Sequence, residues 1–135
     1  MRVVVDTNIL FSFFWKDSIT RKLVISTRFE LVSPEFALKE IEKYRSEIIQ
    51  KVKIDQVEFD RLLEELKKII EFVNREEYSE FIEESKRISL DRGDVDFFAL
   101  CLKERCFLWS NDGLLKKQNE IRVLSTEEII RILFG

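Results

Sequence analysis

The sequence contains no histidine, three glycines, one proline and two cysteines among its 135 residues. Without histidine there is no imidazole base, no Ser-His-Asp triad, no helical zinc-hydrolase motif and no paired-histidine route to phosphodiester cleavage. Three glycines cannot build a phosphate-cradling Gly-rich loop or a dinucleotide-binding turn. Cys101 and Cys106 are too few for a disulfide framework, and without histidine their spacing completes no zinc site. Long apolar runs are missing too. The longest is interrupted by Ser12 and then Lys16, well short of the roughly 20 residues of a membrane span. The opening Met1-Arg2-Val3-Val4-Val5-Asp6 reaches an acid too soon for a secretory signal, which predicts a cytoplasmic protein. Chemistry is left to carboxylates, hydroxyls, amines and bound metal.

What is present is 45% hydrophobic and 36% charged residues with a net charge of −3, the profile of a single globular domain spanning residues 1–135. Such a balance argues against gripping nucleic acid by bulk positive potential. It does not exclude an enzyme whose acids hold cations that then meet phosphate. The apolar, β-branched Val3-Val4-Val5 run reads as a parallel strand covered on both faces. Asp6-Thr7-Asn8 supplies cap residues for a helix over Ile9–Trp15, and Asp17 or Ser18 caps a second helix to about Thr27. Phe29–Val32 is a second strand. Ser33-Pro34 marks a helix start, with Ser as cap and Pro at the first helical position. That helix is expected to run to about Val52, with Ala37, Ile41, Tyr44 and Ile48 as its apolar stripe. Asp55 to Glu58 resembles a capping box opening a helix whose stripe is Phe59, Leu62, Leu63, Leu66, Ile70 and Val73, so the two form an antiparallel hairpin. A short helix over Glu76–Ile88 follows. Asp94–Glu104 reads as a helix apolar almost all round, hence a core helix. Cys106–Trp109 and Ile121–Leu124 read as strands, and Ser125 or Thr126 caps the last helix. Strands alternating with helices imply a three-layer α/β/α fold with a central, mostly parallel sheet, whose active site lies beyond the carboxyl ends of the strands.

Four acids fall where that fold would gather them. Asp6 closes the first strand, although a plain helix cap would look the same. Glu40 lies on the shoulder of a buried helical face, where an acid needs a cation or a cleft edge; Glu47, one heptad on, shares the shoulder and geometry does not separate them. Asp94 opens the buried helix, where Asp91 or Asp96 could equally serve as local cap or first-turn acid. Asp94 and Asp96 do not share a helix face, so at most one points squarely into a common site. Asp112, in Ser110-Asn111-Asp112-Gly113, reads equally as a turn residue. Four neighbouring carboxylates would repel without a cation, and oxygen donors of this kind suit Mg²⁺ or Mn²⁺.

The ordered set resembles the motifs of PIN-domain nucleases, such as the VapC-type toxins. Val3-Val4-Val5-Asp6-Thr7-Asn8 looks like the first motif, and Ser33-Pro34 through Leu38-Lys39-Glu40-Ile41 like the second. Asp94-Val95-Asp96-Phe97-Phe98-Ala99-Leu100 looks like the third, and Leu108-Trp109-Ser110-Asn111-Asp112 like the fourth. The likeness spans essentially the whole chain. It implies catalytic, metal-holding acids at Asp6, Glu40, Asp94 and Asp112, with Thr7, Asn8 and Ser110 as supporting polar groups and Asp96 at a variable position. Gly113 departs from the pattern, since many relatives carry a basic residue there; Lys116, Lys117, Arg92 and Lys39 are candidates for that phosphate contact.

The resemblance further implies Mg²⁺- or Mn²⁺-dependent endoribonuclease activity, an RNA substrate, an antitoxin partner and a homodimer formed through the Ile41–Val73 hairpin. A PIN-type module without turnover, acting in binding or assembly, is an alternative. So is another Mg-dependent phosphohydrolase, although a haloacid-dehalogenase-like enzyme would need an aspartate where Asn8 stands. A response-regulator receiver lacks its lysine and paired acids.

Overall fold

The computed structural model describes all residues 1–135. Its frame is a five-stranded, wholly parallel sheet in the order β3-β2-β1-β4-β5. The strands are β1 (Arg2–Val5), β2 (Glu30–Pro34), β3 (Glu71–Val73), β4 (Leu108–Trp109) and β5 (Val123–Leu124). Helices α1 (Thr7–Ser12), α2 (Ile19–Ser26), α3 (Glu35–Lys43), α4 (Arg45–Val52), α5 (Gln56–Ile69), α6 (Ile82–Ile88), α7 (Val95–Glu104) and α8 (Thr126–Phe134) flank it, giving the three-layer α/β/α fold expected from the sequence. No helix is long and apolar enough to cross a membrane.

Val3, Val4 and Val5 are fully buried at the centre, paired with β2 on one side and β4 on the other. The chain moves outward from β1 to β2 and β3, then returns to place β4 and β5 on the opposite flank. The strand order therefore reverses at β1/β4, the switch point beyond whose carboxyl strand ends open parallel sheets bind their ligands. Helix α7 carries buried residues from Val95 to Cys101, apart from Asp96, which is half-buried.

Local chemistry explains most boundaries. Ser18 caps α2 through the Arg21 amide, Asp55 caps α5 through the Glu58 amide, and Ser125 with Glu128 forms a full capping box on α8. With few glycines available, two helices end on other residues in the left-handed conformation: Lys53 after α4 (φ 61°) and Arg105 after α7 (φ 54°).

Several expectations are corrected. The first helix spans Thr7–Ser12, not Ile9–Trp15. Ser33 is no helix cap: it ends β2 with Pro34, and its hydroxyl donates to the Val5 carbonyl (2.8 Å), tying β2 to the end of β1. The continuous helix to Val52 is broken at Tyr44 (φ −99°, ψ 16°), whose ring packs edge-on against Phe11. The α5 pattern stops at Ile69; Val73, in phase with its stripe, belongs to the short edge strand β3. Residues Arg75–Phe81 form 3₁₀ turns before α6. Phe59, Leu62, Leu66 and Ile70 are at most 2% exposed, packed within their own chain, so this stripe offers no surface for self-association.

Candidate active site

Asp6 is held where β1 meets β4. Its amide donates to the Trp109 carbonyl (3.0 Å), extending the β1–β4 ladder, and its extended backbone (φ −75°, ψ 156°) starts α1. One carboxylate oxygen accepts from the Thr7 amide (2.8 Å). The other accepts from the Ser110 hydroxyl (2.6 Å) and the Asn8 amide nitrogen (3.2 Å). Three donors thus fix one rotamer, and the oxygen facing the Thr7 amide keeps one lone-pair site for a further partner. Asp6 both caps α1 and stands at the β1/β4 switch point.

Thr7, Asn8 and Ser110 each bond to one of the acids. Ser110, 1% exposed, is pinned by its amide to Leu124 (3.0 Å), and its hydroxyl also accepts from the Asp112 amide (3.1 Å) and from Asn8 (3.2 Å). Thr7, buried in the first turn of α1, donates its hydroxyl to a Glu40 carboxylate oxygen (2.7 Å). Glu40 is thereby linked to Asp6 through adjacent residues. Asn111 braces the outer side, its side chain accepting from the Thr126 amide (2.8 Å). That brace carried no sequence signal beyond its place in a turn.

Asp94 ends a 3₁₀ turn, Arg92–Asp94, and precedes α7, yet its side chain makes no capping bond. The capping duty falls on Asp91, which accepts from the Gly93 amide (3.1 Å). Asp94 is free to face Asp6 and Asp112, and burial together with repulsion from Asp6, Asp91 and Asp112 pushes its carboxyl up to about 6. Burial likewise raises Asp6, which also feels Asp112, and raises Glu40, which feels Asp6; hydrogen bonds from Ser110, Thr7 and the Thr7 amide oppose these shifts. Asp112 is exposed and also caps the following turn through the Leu114 amide (3.0 Å).

The pairs left open by the sequence are now separated. Asp96 turns away from these acids, accepting from the Tyr78 hydroxyl (2.6 Å) and lying 3.5 Å from Arg75 Nε. Glu47, displaced by the break at Tyr44, lines a separate apolar groove with Trp15, Ile48 and Val52.

Asp6, Asp94 and Asp112 interact through space, but no three acids converge closely enough to form a ready-made metal cage. The donor set nevertheless fits a hard divalent cation. All donors are oxygens, and no lysine or arginine offsets the charge of Asp6 or Asp94.

Residues 4–129 match the family model described as PIN domain. No curated protein sequence shows a significant match. Among solved structures, VapBC2 from Rickettsia felis, bound to a DNA fragment from its promoter, superposes with a TM-score of 0.65 at 17% identity, covering 93% of this chain and 98% of that one. At that identity the likeness speaks to the fold.

Proposed function

Because the chain belongs to the PIN-domain family, we propose that it is a metal-dependent endoribonuclease whose catalytic acids are Asp6, Glu40, Asp94 and Asp112. The observation carrying this reading is the wiring at the β1/β4 switch point: Thr7, Asn8 and Ser110 orient Asp6 and Glu40, while Asp94 is left without a capping role. Mg²⁺ or Mn²⁺ bound by these oxygens would acidify a water and offset charge on the scissile phosphate and leaving oxygen. The chain's own contribution is positional. Ser110 and Asn8 hold Asp6 in one rotamer, Thr7 aims Glu40, and the β1–β4 ladder fixes the distance between the two loops. Purified protein should cleave RNA with Mg²⁺ or Mn²⁺ and stop on addition of EDTA; undiminished cleavage after chelation would overturn the reading.

A module without turnover is the second reading, favoured by the fact that the acids form no closed cage. A catalytically silent protein that still binds RNA would support it. The haloacid-dehalogenase alternative falls with the family assignment.

The VapC-type motifs and the likeness to VapBC2 support a toxin role with an antitoxin partner. Co-expression with the product of an adjacent short reading frame should relieve growth arrest if that role holds. Self-association is proposed from the resemblance alone, through exposed apolar side chains such as Trp15 and Ile19. Light scattering should then give twice the 16.2 kDa chain mass. A monomer at every concentration would refute it.

A further inference from the structure

An anionic strand must reach the carboxylates of a protein whose net charge is −3, so the location of uncommitted positive charge matters. Five of the eleven arginines are ion-paired. Arg2 meets Glu30, Glu71 and Glu104; Arg45 meets Glu42 and Asp60; Arg61 meets Glu58 and Glu65. Lys116, a sequence candidate for a phosphate contact, is paired with Glu128, whose carboxyl is held at about 2.

Arg92, like Arg28, Arg87, Arg105 and Arg122, makes no ion pair or side-chain hydrogen bond, and it is distinguished by its place two residues before Asp94 on an exposed turn. With Arg75 and Lys86 it lines a polar cleft of about 580 Å³ that reaches Asp91 and Asp96 on either side of Asp94. The remaining cations there are weakly held. Arg75 is 3.5 Å from Asp96, an acceptor already taken by Tyr78, and Lys86 is paired with a Glu83 side chain that is 87% exposed. The cleft also holds two acids, Asp91 bonded to the Gly93 amide and Asp96 to Tyr78, so its three cations outnumber its carboxylates by one. Leu90, 65% exposed on the same wall, offers an apolar surface to a base.

Resting on the nuclease reading, we propose that this cleft seats the phosphodiester backbone of single-stranded RNA beside the bond to be cut, with Arg75, Lys86 and Arg92 as its phosphate contacts. In this reading it supplies the phosphate contact that a basic residue in place of Gly113 would make. Contacts of this kind position the strand and carry little sequence information.

The test separates binding from turnover. In an Asp6→Asn background, fluorescence anisotropy with a mixed-sequence single-stranded RNA oligonucleotide in Mg²⁺ buffer should show at least about tenfold weaker binding for R75A/K86A/R92A. The logarithmic salt slope should fall by about 2, since each single-strand phosphate contact releases roughly 0.7 counterions. A control removing three charges elsewhere, K22A/K67A/K68A on α2 and α5, should leave affinity within about twofold. Arg92→Ala alone, on an exposed turn, should weaken binding about threefold and guards against misfolding of the triple variant. Equal losses in both triples, or none in the cleft triple, would overturn the proposal. In the unmutated background the cleft triple should raise KM with kcat retained. If no metal supports cleavage but the contrast between the triples persists, the cleft stands and only the catalytic reading fails. If the protein cleaves RNA and the contrast is absent, the reverse holds.

Discussion

Asp94 and Asp96 are two residues apart and have opposite duties, which makes them a sharp pair for mutation. Asp94→Asn should lower turnover by orders of magnitude, yet raise thermal stability in metal-free buffer at neutral pH, because it removes a partly buried charge and its repulsion with Asp6, Asp91 and Asp112. The folded-state pKa of about 6 lies above the ordinary carboxylate value. The folded protein therefore binds this proton more tightly, and the destabilisation grows as pH rises from about 4 to about 6. Full conversion of the shift would give ~3 kcal/mol, and screening at this half-exposed position reduces it to about 1 kcal/mol. In thermal melts with EDTA the variant should melt above the unmutated protein at pH 7 and level with it at pH 4; a variant that melts lower at pH 7 would contradict the sign. Asp96→Asn should do the reverse, keeping turnover while weakening the bond to the buried Tyr78 hydroxyl, at a cost of about 1–2 kcal/mol. If Asp96→Asn is the more damaging to activity, the third acid has been placed two residues too early.

At the scale of elements, the scarcity of glycine leaves Lys53 and Arg105 in left-handed backbone at the ends of α4 and α7. Arg105→Gly should raise the urea midpoint by about 1 kcal/mol of stability; a loss would mean that the arginine side chain outweighs its backbone strain. Elements fixed by local chemistry were legible from sequence: the caps at Ser18, Asp55 and Ser125, the buried Val3–Val5 strand, and the apolar α7. Elements fixed by tertiary contact were not. Val73 satisfies a helical stripe and a buried strand equally, so β3 stayed hidden behind α5. Ser33-Pro34 reads as a cap until Val5 supplies a carbonyl for the serine hydroxyl. In the site, Asp6 and Asp112 could be found from strand ends. The separation of Glu40 from Glu47 depended on the break at Tyr44 and on a hydroxyl 33 residues away, which no periodicity encodes.

For the whole molecule, cation binding and folding should be coupled. If the four acids hold a divalent ion only in the folded state, Mn²⁺ at about 100 times its Kd should add ~2.7 kcal/mol of stability. The rise should disappear in Asp6→Asn, and differential scanning fluorimetry reads it without any substrate. An equal rise in both proteins would place the ion elsewhere. The bond between Asp6 and Ser110 spans 104 residues of chain. It also has a consequence for biosynthesis. A ribosome adding roughly 5–20 residues per second makes β1 wait on the order of ten seconds for β4 to emerge. During that interval Val3–Val5 can pair with β2 alone, leaving an apolar strand edge open to chaperones or to aggregation. The hydrolytic centre proposed here would therefore be assembled only after β4 has emerged, so a nascent chain that has not reached it could not attack the messenger from which it is being read.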